Sequence, residues 1–224
     1  SSYDAHWMFP ALEQAMLENK TSSMFYAYIE CEDGPFLYAI DPFSEEEVSL
    51  HRFAKRTRLG TFDLDIINQF HTESEYVNKA GEVEDKSLIH IDNYKVDCSL
   101  STKMDMTVTA AVQFTGMQDG YSWIPFNLYY DLEVISAMWD DGTPAVYFKG
   151  KRGKILWVRM NTPIKKGAKY TLKLAYSGQI MNRYGDLLVL WSSTGWYPTH
   201  GDHQRSVFAV NLHYPSRYVL AGVG

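Results

Sequence analysis

The densest group of side chains able to do chemistry is Thr199-His200-Gly201-Asp202-His203. Two imidazoles and a carboxylate fall within four residues, and all three can ligate zinc. Catalytic zinc normally takes three well-oriented protein ligands and keeps an open fourth position. The reliable motifs carry two of those ligands on one helix face, as in His-Glu-x-x-His. Here the group lies in a polar loop with no such helix behind it. The plainer reading is a turn in which Asp202 makes loop hydrogen bonds. A self-contained metal hydrolase at His200, Asp202 and His203 is the sharper one.

Other chemistry finds less support. No Gly-x-Ser-x-Gly elbow is present, and the serines near Ser192 have no evident histidine partner. The carboxylate pairs at Asp140-Asp141 and Glu45–Glu47 read as turn and cap residues. Neither Gly-rich phosphate motif occurs. Cys31 and Cys98 fit no metal spacing and read as two free, partly buried thiols. Tyr129, Tyr130, Trp139, Tyr147 and Trp157 suit a stacking face for glycan or peptide, but cross-strand packing uses the same residue types.

The chain has 224 residues, 46% of them hydrophobic and 15% aromatic, which is ordinary globular usage with a surplus of tyrosine and tryptophan. Its net charge of −6 argues against a nucleic-acid partner, because such binders carry a clustered basic footprint. The one basic run, His51–Arg58, is short and reads as a solvated helix face. No apolar run approaches the roughly 20 residues of a membrane span, and no signal-peptide pattern opens the chain.

The elements that would position these residues are mostly strands. Pro10–Lys20 has helical composition, with Pro10 in a first turn and Leu12, Ala15 and Met16 as one stripe. Met24–Cys31 and Phe36–Ile40 flank a Glu-Asp-Gly-Pro turn and predict a hairpin. Ser44–Glu47 resembles a capping box, predicting a short helix through Val48, Leu50 and Phe53. Thr61–Ile67 alternates as a half-buried strand. Thr72–Lys86 is charged and aperiodic, and marks the boundary between an α+β segment over 1–86 and a β-domain over 87–224.

Beyond Leu88 the period is two. Tyr94, Val96, Cys98 and Leu100 oppose Lys95, Asp97 and Ser99; Met104–Phe114 and Lys169–Tyr176 behave alike. Such alternation belongs to antiparallel sheets with one wet face. Asp-Gly at 141–142 marks a hairpin. The fold class expected is mainly β, an antiparallel sandwich or saddle with a small α+β N-terminal segment. Leu187–Gly224 closes it as strand, loop, alternating strand Val207–His213, and a last apolar run.

That closing segment carries a resemblance. Trp196-Tyr197-Pro198, Asp202, Phe208-Ala209-Val210, Tyr214-Pro215 and Tyr218–Gly222 resemble the end of the N-terminal β-domain of gluzincin aminopeptidases, the zinc peptidases of the aminopeptidase N type. Tyr94–Phe114 resembles its opening strands. Phe126-Asn127-Leu128, Leu132-Glu133-Val134, Ile164–Gly167 and Tyr170–Gly178 resemble its middle. The likeness covers roughly Leu88 to Gly224. Thr199–His203 stands where the family has Cys-Asp-Glu-Pro, and Leu190–Thr194 lacks the Gln or Glu that often holds the substrate amine. The Gly-x-Met-Glu-Asn loop and His-Glu-x-x-His of the family's catalytic domain are absent.

What the resemblance implies is a non-catalytic domain that walls the substrate cleft. Its partners would be a catalytic domain of the same polypeptide and the parent's peptide substrate. The fragment would be inactive and hold no cofactor, with zinc in the parent's catalytic domain. Trp196, Tyr197, His200, Asp202 and His203 would form the cleft rim. The apolar end at Val219–Gly224 reads as a cut before a further domain. The resemblance assigns no compartment and leaves a secreted, periplasmic or membrane-associated parent open. The alternative is a stand-alone β-sandwich that binds peptide or glycan.

Overall fold

The structure, a computed structural model, describes residues 10–19, 24–41, 46–53, 64–73, 87–103, 105–150, 153–184, 187–190, 195–201 and 205–219. It is mainly β, with antiparallel sheets and no closed barrel. Two compact units emerge, Phe9–Lys86 and Ser87–Gly224 together with Ser1–Met8.

The smaller unit holds helix α1 (Pro10–Leu17) and an antiparallel sheet in the order β1 (Phe25–Cys31), β2 (Gly34–Ile40), β3 (Val48–Phe53) and β4 (Leu64–Phe70). Pro10 opens α1 as expected; among the described side chains of the helix Gln14 and Ala15 are buried, and Met16 is 65% exposed. The β1–β2 hairpin closes at Cys31 and Gly34, where a φ of +110° suits only glycine. The helix expected through Val48, Leu50 and Phe53 is instead β3. Its five pairs with β2 and six with β4 override a local capping signal. Beyond Leu64, every residue of β4 is exposed rather than half-buried. Cys31 is exposed and Cys98 buried, both free.

The larger unit is a sandwich. One sheet runs β14 (Val207–His213), β5 (Ile89–Leu100), β6 (Met106–Gly116), β11 (Lys169–Gly178), β8 (Glu133–Trp139). The other runs β7 (Trp123–Asn127), β10 (Ile155–Arg159), β9 (Tyr147–Lys149), and β12 (Asn182–Tyr184) pairs with β13 (Leu187–Val189). All pairs are antiparallel except β14 with β5. The predicted alternation becomes the core: Tyr94, Val96 and Cys98 from β5, Val108, Ala110, Val112 and Phe114 from β6, and Leu172, Leu174 and Tyr176 from β11 are buried. Phe114 spans the layers, meeting Phe126 of β7 edge-on at 6.0 Å and stacking on Tyr170 at 5.5 Å.

The Asp-Gly turn forms but does not close a simple hairpin. Trp139 N–H donates to Thr143 O, and Gly142, at φ +83°, donates to Trp139 O. The Ala145 N–H still bonds Ala137 O of the larger sheet, whereas Val146 O accepts from Arg159 on β10. The chain changes sheet between those two residues.

Candidate functional site

Residues 195–201 cross one end of this sandwich and are tied down along their length. Gly195, at φ +71°, turns its carbonyl onto Tyr129 N–H at 2.8 Å. The Trp196 carbonyl accepts from the Tyr176 hydroxyl on β11 at 3.0 Å. The Pro198 carbonyl accepts from the Tyr94 hydroxyl on β5 at 2.8 Å. Thr199 and Asn127 of β7 exchange backbone bonds at 2.6 and 3.0 Å. His200 Nδ1 lies 2.7 Å from Pro125 O, also on β7. A carbonyl can only accept, so Nδ1 carries the proton and is spent as a donor. The segment is a strap fastened to both sheets.

Its aromatic rings pack as a cluster. Tyr94 stacks on Phe208 of β14 with centroids 4.5 Å apart. Tyr197 meets Tyr94 and Phe208 edge-on at 5.4 and 5.2 Å, and Trp196 meets Tyr197 at 5.1 Å. Burial raises the phenol pKa of Tyr94, Tyr176 and Tyr197 above the ordinary tyrosine value. At neutral pH the three are neutral hydrogen-bond donors, unsuited to general acid–base work. The strap therefore carries a neutral aromatic cluster tied to both sheets.

Of the predicted rim residues, Trp196 and Tyr197 are half-buried and His200 is only 8% exposed. Asp202 and His203 lie outside the described residues. Among the described residues, no three His, Cys, Asp or Glu side chains gather as a metal group. Tyr94, Tyr176 and Phe208 complete the strap, and sequence reasoning did not assign them to it. The available signal was chemical: an inner-face tyrosine must find an acceptor for its hydroxyl.

Elsewhere, the aromatic set divides. Trp139 and Trp157 are buried, while Tyr130 and Tyr147 are exposed. Tyr129 donates to the Tyr130 hydroxyl at 3.0 Å, and burial followed by that bond pushes its pKa up to about 12. Asp141 is a turn residue: Thr143 donates to its Oδ1 from both hydroxyl and amide, holding its pKa below the usual range. The solvent face of the larger sheet forms a shallow groove lined by Lys95, Asp97, Thr109, Ala111, Lys173 and Asn211.

Solved structures similar to this chain include M1 zinc metallopeptidases. One, a Glu-to-Ala variant from Deinococcus radiodurans, aligns at 17% identity over 57% of this chain and 32% of its own, with a TM-score of 0.49. The same variant bound to Tyr-Ser-Ala aligns at 15% over 58% and 33%, TM-score 0.47. The metallopeptidase from the same organism without that substitution aligns at 16% over 57% and 33%, TM-score 0.47. This chain thus spans about a third of those it matches. No protein-family model matches it, and no curated protein does. No helix among the described residues is long and apolar enough to cross a membrane.

Proposed function

We propose that this chain is the non-catalytic N-terminal β-domain of a zinc aminopeptidase-like protein. It walls one end of the substrate cleft and packs on a catalytic domain of the same polypeptide. The observation that carries this reading is the strap over residues 195–200, fastened to β5, β7 and β11 by side-chain and backbone bonds. An exopeptidase must close its cleft so that only a chain terminus reaches the metal. A fixed aromatic wall on a rigid sheet meets that need, because recognition loops work best on scaffolds that do not yield.

In this role Trp196 and Tyr197 face the substrate terminus and His200 anchors the wall from behind. Among the described residues, no three His, Cys, Asp or Glu side chains gather as a group that could hold the zinc. The metal belongs to the catalytic domain, and no step of hydrolysis runs through this chain.

The purified chain should carry no stoichiometric zinc by elemental analysis and turn over no aminoacyl-arylamide. The coding sequence after Gly224 should encode His-Glu-x-x-His with a downstream Glu. In the full protein, Tyr197→Ala should raise KM about tenfold more than it lowers kcat, because a wall binds ground and transition states alike. Chelator-sensitive activity in the chain alone, or a stop codon after Gly224, would overturn the proposal. A stand-alone module for peptide or glycan draws on the exposed Tyr130 and Tyr147. It predicts that stop codon, together with glycan or peptide binding lost in Tyr130→Ala.

A further inference from the structure

Among the described residues, the edge strands of the three larger sheets are guarded, with one exception. A free edge presents unpaired backbone groups, and proteins blunt it with charge, proline, bulges or shortness. β7 has Pro125 in its middle and Asn127 bridged to Thr199. β8 begins at Glu133 and is bridged at Met138 by Pro144. β9 has three residues, one of them Lys149. In the smaller unit β1 carries Glu30 and β4 carries Asp65.

β14 has none of these devices. Val207-Phe-Ala-Val-Asn-Leu-His213 contains no charged carboxylate or ammonium group and no proline, and it pairs with β5 over seven residues without a bulge. Register puts Phe208, Val210 and Leu212 beside Tyr94, Val96 and Cys98, on the inner face of the sheet. Those three β5 residues are buried, yet Phe208 is 44% and Val210 45% exposed. Among the described residues β14 pairs on one side only, with β5, so an unpaired backbone edge and an exposed apolar strip occur together.

We propose that this edge pairs with β14 of a second copy of the chain, antiparallel and centred on Val210, joining two sheets into one. The strand is complementary to itself in that register. Val210 faces Val210, Phe208 of one copy faces Leu212 of the other, Ala209 faces Asn211, and Val207 faces His213. No like charges oppose, and the two apolar strips become continuous, which is the combination of backbone bonds and alternate side-chain contacts that strand addition uses. The inference stands apart from the proposed function, since it uses no property of a cleft.

Sedimentation equilibrium across a concentration series should show a monomer–dimer equilibrium. Val210→Lys, at a half-exposed position, should leave the circular dichroism unchanged and raise the dimer dissociation constant at least about tenfold, by opposing two ammonium groups across the dyad. Directly opposed residues of an antiparallel pair have Cα atoms about 4.5–5.5 Å apart, within the roughly 4.4–6.8 Å a disulfide spans. Val210→Cys in a Cys31→Ser background should therefore cross-link into a dimer on mild oxidation, while Ile135→Cys, at another exposed strand position, should not. A chain that stays monomeric at every concentration, a dimer indifferent to Val210→Lys, or equal cross-linking from both cysteine positions would overturn the proposal.

Discussion

Tyr94 and Tyr176 each do two things at once: their rings fill the sandwich core and their hydroxyls hold the strap. Tyr94→Phe keeps the ring and strands the buried Pro198 carbonyl, so it should cost about 1–2 kcal/mol in urea unfolding. Burial, and behind it neighbouring groups, raises both phenol pKa values. In the unfolded chain a tyrosine ionises near pH 10. The folded chain keeps these protons longer, so the stability they confer is whole below about pH 10 and falls as pH rises past it. A phenolate absorbance titration should show both ionising only together with loss of the near-ultraviolet dichroism. Free titration of both in the folded chain would refute their burial. The tyrosines were legible in the sequence as inner-face residues, through alternation with Lys95 and with Thr171 and Lys173. Their acceptors were not, because Pro198 and Trp196 lie far along the chain and no local spacing connects a phenol to a distant carbonyl.

At the scale of elements, two glycines decide how closely neighbours approach. A Cβ on Gly116, the last residue of β6, would run into the Lys165 carbonyl and lie 2.9 Å from Ile164 Cγ1. One on Gly178, at the end of β11, would strike the Asp131 carbonyl and lie 3.0 Å from Leu132 Cδ2. Backbone cannot swing aside as a flexible side chain can. Gly116→Ala and Gly178→Ala should each destabilise the chain by about 2 kcal/mol, read from the urea midpoint at unchanged slope. An unaltered midpoint would mean that the loops at 131–132 and 164–165 yield. The strands themselves were readable wherever one face is dry and the other wet, as in β5, β6 and β11. Val48–Phe53 failed that test because its acidic lead-in mimics a helix cap, while the partners that make it a strand lie at 36–40 and 64–70. The Asp-Gly turn was readable too. The change of sheet after Ala145 was not, since it depends on Arg159 meeting Val146, a contact between strands.

For the whole molecule, the two units differ in how much each buries. Among the described residues, the four-stranded sheet buries Leu37, Ala39 and Val48 while exposing Phe25, Tyr28, Ile29, Ile66, Ile67 and Phe70. The five-stranded sheet buries inner-face residues along β5, β6 and β11. Local opening is easiest where few apolar contacts must be broken. Amide exchange should therefore fade first from β1–β4 and last from β5, β6 and β11. The two free thiols give an independent readout of the same order. Cys31 is exposed in β1 and should react with a thiol reagent at the rate of the open chain. Cys98 is enclosed in β5, and burial, then the Asp97 carboxylate, pushes its pKa up to about 11. The thiolate is the reactive form, so Cys98 should label only as the larger sheet opens. Tyr94→Phe, which loosens the strap over that sheet, should speed Cys98 labelling about tenfold, the factor that corresponds to roughly 1.4 kcal/mol of lost stability. If Cys98 instead labels as fast as Cys31, or if β1–β4 outlast β5, β6 and β11 in exchange, the larger sandwich is not the rigid scaffold on which the proposed wall depends.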